Sequence, residues 1–215
     1  DMLNGGEYLQ VLSDINVEGG GAILSTPSEI SAMGEGYDWQ DLIFRSSLIQ
    51  NHQVTMDGGS DTSNYYVSLN HLNNEGVIKE SGEKKYNARI NYGFTPNEKV
   101  SINLNLSINR SEVDNVKMGR GTNEGVGLLA ASLLFDPTIG PEVNSEGYYD
   151  VNPLVAIENP EAILQGWDQQ VVTNRIYATA SIDYKIFNDL TATARFGTNL
   201  MDSRLDLYEN DKFQV

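Results

Sequence analysis

The chain has 215 residues, 40% of them apolar and 20% charged, with a net charge of −16 and no cysteine. That length makes one large domain or two small ones; the lack of cysteine excludes disulfide frameworks, thiolate metal sites and cysteine nucleophiles, and the acidic balance excludes nucleic acid, since nothing neutralises phosphates. No run reaches the roughly 18 apolar residues of a membrane helix, which leaves a soluble protein or a membrane protein that crosses with strands.

Residues 1–48 open the chain as an acidic, partly helical segment, net −7. No charged n-region or apolar h-region marks a signal peptide. Both ends, Leu3-Asn4-Gly5-Gly6 and Lys212-Phe213-Gln214-Val215, read as the interior of a longer sequence.

From residue 49 onward period-two alternation takes over. His52, Val54 and Met56, the turn signal Gly58-Gly59-Ser60-Asp61, and Tyr65, Val67 and Leu69 make a first hairpin. In a second, Tyr86, Ala88, Ile90, Tyr92 and Phe94 face one way. The turn Thr95-Pro96-Asn97-Glu98 leads to Val100, Ile102, Leu104, Leu106 and Ile108. The third sets Ile176, Ala178, Ala180, Ile182 and Tyr184 beside Leu190, Ala192, Ala194 and Phe196, across Phe187-Asn188-Asp189. Six strands are therefore expected near 49–57, 64–72, 85–94, 99–110, 170–186 and 189–206, with long connections at 73–84 and 110–168. Residues 111–168 carry a net of −8 and contain one predicted short helix, Val126 to Leu134, ended by Asp136-Pro137.

Two architectures produce such alternation. In a soluble β-sandwich the apolar face meets a second sheet; in a membrane barrel it meets lipid. Strands of about 9–12 residues match a tilted barrel wall, whereas soluble strands centre on about 5–6. Short turns alternating with long loops, and Tyr92, Phe94 and Tyr184 near the short turns, suit a barrel with periplasmic turns and an interface girdle. Six strands cannot close one, since the smallest has about 8. The expected fold is thus all-β: antiparallel strands of a large transmembrane β-barrel with long extracellular loops, an incomplete piece comprising residues 49–215, with a long loop at 110–168.

Tyr37-Asp38-Trp39-Gln40-Asp41-Leu42-Ile43-Phe44-Arg45 begins a more specific pattern. It continues through Gln50-Asn51-His52, Gly58-Gly59-Ser60-Asp61, Tyr65-Tyr66-Val67-Ser68-Leu69, Asn74-Glu75-Gly76-Val77-Ile78-Lys79 and Lys85-Tyr86-Asn87-Ala88-Arg89-Ile90-Asn91. In order and spacing this resembles the SusC/RagA family of TonB-dependent outer-membrane transporters. Asn70-His71 stands where the family pattern has Gly-Tyr, and Lys85 where it has Arg. The resemblance implies a bacterial outer-membrane location, a plug domain and TonB-engaging segment lying before Asp1, and residues 1–48 linking plug to barrel. It further implies import of large nutrients, oligosaccharides or peptides, and a SusD-like surface lipoprotein as partner. No ligand-contact residue carries over, so the ligand-binding residues stay unassigned.

No catalytic machinery emerges. Glu142/Glu146 and Glu158/Glu161 have the composition of a glycosidase acid and base, but read as a solvated acidic loop. His52 and His71 are isolated on their strands without an i, i+4 partner, so no metal is expected. Gly119, Gly121 and Gly125 fail the dinucleotide spacing, no nucleophile elbow or triad signature is present, and no cofactor is expected. Tyr148, Tyr149 and Trp167 read as loop packing ahead of sugar contact, with Trp167 also suited to an outer interface. The competing function, from another class, is a soluble all-β glycan-binding or adhesion module.

Overall fold

A computed structural model describes residues 2–119, 127–155 and 157–210. Six strands, β1 (Ile49–Gly59), β2 (Ser63–Glu75), β3 (Gly82–Asn97), β4 (Val100–Asn115), β5 (Trp167–Phe187) and β6 (Leu190–Glu209), form one antiparallel sheet. Their spatial order is their order in sequence. No second sheet packs on it among the described residues, so the sandwich expectation fails and the single-sheet one holds.

The strands outrun the alternation that announced them. β3 and β4 each have 16 residues, β5 has 21 and β6 has 20. The connection expected over 73–84 shrinks to residues 76–81, and that over 110–168 to residues 116–166. Within the second hairpin the expected turn at Thr95–Glu98 moves to Glu98-Lys99. Thr95 and Pro96 stay in the strand, at a register shift between Phe94 and Asn97. Proline has no N–H to give the ladder and is tolerated at such an irregularity. The Asn97 Oδ1 then accepts from the N–H groups of Lys99 and Val100 at 2.9 and 3.1 Å, closing the turn.

Five helices collect at the end of the sheet carrying the long connections: α1 (Gly5–Glu18), α2 (Pro27–Met33), α3 (Trp39–Ile43), α4 (Leu128–Leu134) and α5 (Pro160–Gly166). α4 is the helix expected from Val126; Val126 itself lies outside the described residues. Start signals explain the others. Asn4 and Glu7 form a reciprocal capping box on α1, and Thr26 and Glu29 one on α2, where Pro27 occupies the first turn. Asn159 and Pro160 repeat the cap-and-proline pattern on α5.

A small core sits here, with Ile43, Leu128, Ala131 and Ile163 at most 1% exposed. Trp39 packs edge-on to Phe135 at 5.2 Å and donates its indole N–H to the Asp136 carbonyl. The core is pinned to the β2–β3 turn by a Phe44–Ile78 bridge and by the Lys79 amide, which donates to the Ile43 carbonyl. Gly36 (φ +67) is where the chain passes the Pro137 carbonyl so closely that any Cβ would collide with it.

Candidate functional site

Register, not a pocket, organises the chemistry. Directly opposed residues share a face, so the pairings can be followed across the sheet as rows. One row reads Met56, Val67, Ile90, Leu106, Ala178. Another reads Tyr65, Tyr92, Leu104, Ala180, Phe196, and a third Val54, Leu69, Ala88, Ile108, Ile176, Leu200. No part of the described protein covers this face: Val54 is 70% exposed, Leu104 44% and Ile182 45%. Such a contiguous apolar surface exceeds what water-soluble monomers show.

The opposite face is polar and knits itself together. Asn70 Nδ2 donates to Asn51 Oδ1 at 2.6 Å, and Asn87 Nδ2 to Asn70 Oδ1 at 3.1 Å. Farther along, Asn105 donates to Thr179, Arg175 to Asn199 and Thr193 to Asp183. Asn91, Asn103, Ser181 and Arg195 lie on this side too.

Toward the helical end the polarity inverts. Beyond Ile108 the formerly apolar face carries Arg110, Glu112 and Asp114 on β4 and Asp202, Arg204 and Asp206 on β6. Arg110 pairs with Glu112 at 2.7 Å and Arg204 with Asp206 at 2.8 Å. The formerly polar face there carries Val113, Val171 and Leu205, opposed to one another in a row. This phase change is why the strand ends escaped the sequence reading, which followed apolar residues of one parity and stopped where they stopped.

The other sequence candidates divide clearly. Glu142 and Glu146 are exposed, in a tight turn closed by Asn144, whose Oδ1 accepts from the Glu146 and Tyr148 amides. Glu158 is buried, its two carboxylate oxygens 2.8 and 2.6 Å from the Lys117 ammonium, which also lies 3.9 Å from Glu209. Lys117 also lies 5.6 Å from the Trp167 ring centre. Trp167, at the start of β5, thus packs against the long connection and also lines the cavity near the β2–β3 turn. Burial and then the Glu161 carboxylate push the Tyr149 phenol up; burial and then Asp136 do the same to Tyr8. Gly121 and Gly125 lie outside the described residues.

The histidines are a correction. His52 and His71 are not isolated but directly opposed on β1 and β2. The signal was present: a turn centred between Asp61 and Thr62 pairs positions equidistant from it, 52 with 71 among them. A cavity of about 560 Å³ near the β2–β3 turn is lined by Arg45, Glu80, Lys84, Asp114 and Trp167. No cluster of three or more metal-ligating side chains occurs among the described residues.

No family model matches the chain. It is 26% identical over 175 residues to TonB-dependent receptor P3 and 32% identical over 166 residues to TonB-dependent receptor P26, both of Formosa agariphila. It is 25% identical over 169 residues to TonB-dependent receptor SusC of Bacteroides thetaiotaomicron. These alignments take in 69–80% of the chain but 16–17% of each relative, so the chain spans about a sixth of their length. In fold it matches a chain of the RagAB peptide importer with a TM-score of 0.72 at 17% identity, covering 96% of this chain and 26% of that one.

Proposed function

We propose that the chain, SusC/RagA-like in sequence and fold, is a stretch of a TonB-dependent receptor's antiparallel barrel wall and forms part of an outer-membrane importer of large nutrients, oligosaccharides or peptides. The observation that carries this reading is the sheet's two opposed faces, apolar and uncovered on one side, polar and hydrogen-bonded on the other. Lipid offers no hydrogen bonds, so only the first face suits it, whereas a wet or plug-filled lumen satisfies the second.

Dimensions support it. From Val100 to Ile108 the apolar face of β4 covers eight residue steps, about 27 Å along a strand at roughly 3.4 Å per residue. A tilt of about 40° leaves roughly 20 Å of height, close to the apolar band of a membrane barrel. The short turns lie at the periplasmic end, and the helical cap with residues 116–166 stands outside the cell. Residues 1–48 lead in from a plug. A SusD-like surface lipoprotein meets the outer mouth, and TonB acts through a segment beyond this chain.

Single cysteines in the full-length receptor test the assignment. Leu104→Cys and Ile182→Cys should react only with a lipid-soluble thiol reagent, and Asn103→Cys and Thr193→Cys only with a water-soluble one. Shielding of Leu104→Cys and Ile182→Cys from both reagents would make the apolar face a protein core and end the proposal.

A further inference from the structure

The chain has two histidines, and the register of the first hairpin sets His52 on β1 directly against His71 on β2. Directly opposed residues hold their Cβ atoms about 4.5–5.5 Å apart on one face. Two imidazoles at that separation can close on a single ion at the roughly 2.0–2.1 Å of a nitrogen–metal bond.

Their surroundings favour this. On the β3 side, Tyr86 opposes His71 and stacks on its ring, with centroids 4.8 Å apart and planes at 30°. That contact restricts the ring. No protein group among the described residues hydrogen-bonds either imidazole, so the ring nitrogens are not committed elsewhere. The pair occupies the first row past Val54 and Leu69, where the apolar band gives way to Arg110 and Asp202 and water reaches the wall. His52 is exposed and His71 half-buried.

We propose that His52 and His71 form a two-imidazole site for a divalent transition-metal ion of the copper(II)–zinc(II) class, with water in the remaining positions. Imidazole donors select these ions. The neighbouring rows, Gln50 with Asn73 and Val54 with Leu69, supply no carboxylate, and calcium and magnesium need oxygen ligands of that kind. The site rests on the hairpin register alone and is independent of the transport reading.

The test titrates copper(II), with no other ligand, into the full-length receptor in detergent micelles at about pH 7.5, with electron paramagnetic resonance counting the bound nitrogens. Wild type should show a one-equivalent site with two equatorial nitrogens. His52→Ala and His71→Ala should each weaken it by about tenfold or more, about 1.4 kcal/mol by the usual conversion. His52→Gln and His71→Tyr repeat the comparison with side chains closer in size, separating lost ligation from disturbed folding. Superimposable titrations of wild type and the His52→Ala/His71→Ala double variant would overturn the site, as would loss confined to only one of the two single variants.

Discussion

Lys117 and Glu158 meet with side chains only 12% and 9% exposed, so their charges depend on each other more than on water. Removing Lys117 leaves the buried Glu158 carboxylate without its ammonium partner. Lys117→Met is expected to destabilise the helical cap by about 3–5 kcal/mol, and Lys117→Met with Glu158→Leu to recover most of that; urea unfolding followed by the cap tryptophans measures both. Trp39 is the cap's other anchor. Trp39→Ala should cost about 3–5 kcal/mol as a buried aromatic truncation, and Trp39→Phe about 1 kcal/mol for the lost bond to the Asp136 carbonyl. Tyr8 and Tyr149 are raised from 10.0. Their neutral forms favour the folded cap, so that contribution is complete below the unfolded value and fades as pH climbs toward the folded one. An ultraviolet titration should show two phenols ionising late, with the cap loosening as they do.

Strands were legible where one solvent lay on each side. Ile90, Leu104 and Ile182 alternate with Asn91, Asn103 and Ser181, and that contrast fixed existence, register and facing. It failed past Arg110, Thr173 and Asp202, where apolar side chains change face and parity ceases to mark the strand. The same contrast yields a mutational test. Leu104→Arg places a charge on the lipid face near the middle of the apolar band and should destabilise the assembled receptor by about 2–4 kcal/mol. Asn103→Arg, one residue away on the lumen face, should leave it within about 0.5 kcal/mol. Heat-modifiability on gels and urea unfolding in vesicles read the difference. α5 went unread although Asn159-Pro160 is a good start signal, because seven residues give too little periodicity to notice. The histidine pair went unread for another reason: spacing within one strand reveals nothing about a partner across a turn.

At the scale of the whole molecule, the charge follows the architecture. Acidity concentrates in residues 1–48 and 111–168, where the cap gathers, while the banded part of the sheet is nearly neutral. Protease added to intact cells of the parent organism is therefore expected to cut within 141–155 and to spare the turns at 60–62 and 188–189 until the outer membrane is permeabilised. No cut in 141–155 while other surface loops are cleaved would reverse the orientation. Every residue of β6 is exposed, and its outer edge, like that of β1, is unpaired among the described residues. Because each strand pairs only with its neighbours in sequence, the wall can grow one hairpin at a time, and time is lost at one step alone. Bringing β4 to β5 means closing residues 116–166, an entropic cost of about 3–4 kcal/mol for a floppy loop by logarithmic scaling. Val116, Leu128, Ile157 and Leu164 share one core, so that stretch need not be floppy: collapsed beforehand, it delivers Asn115 to Gln169, its partner in the β4–β5 ladder. The cap then acts as a splint for biogenesis, and Trp39→Ala should slow the appearance of heat-resistant receptor in pulse-chase experiments more than it weakens receptor already assembled.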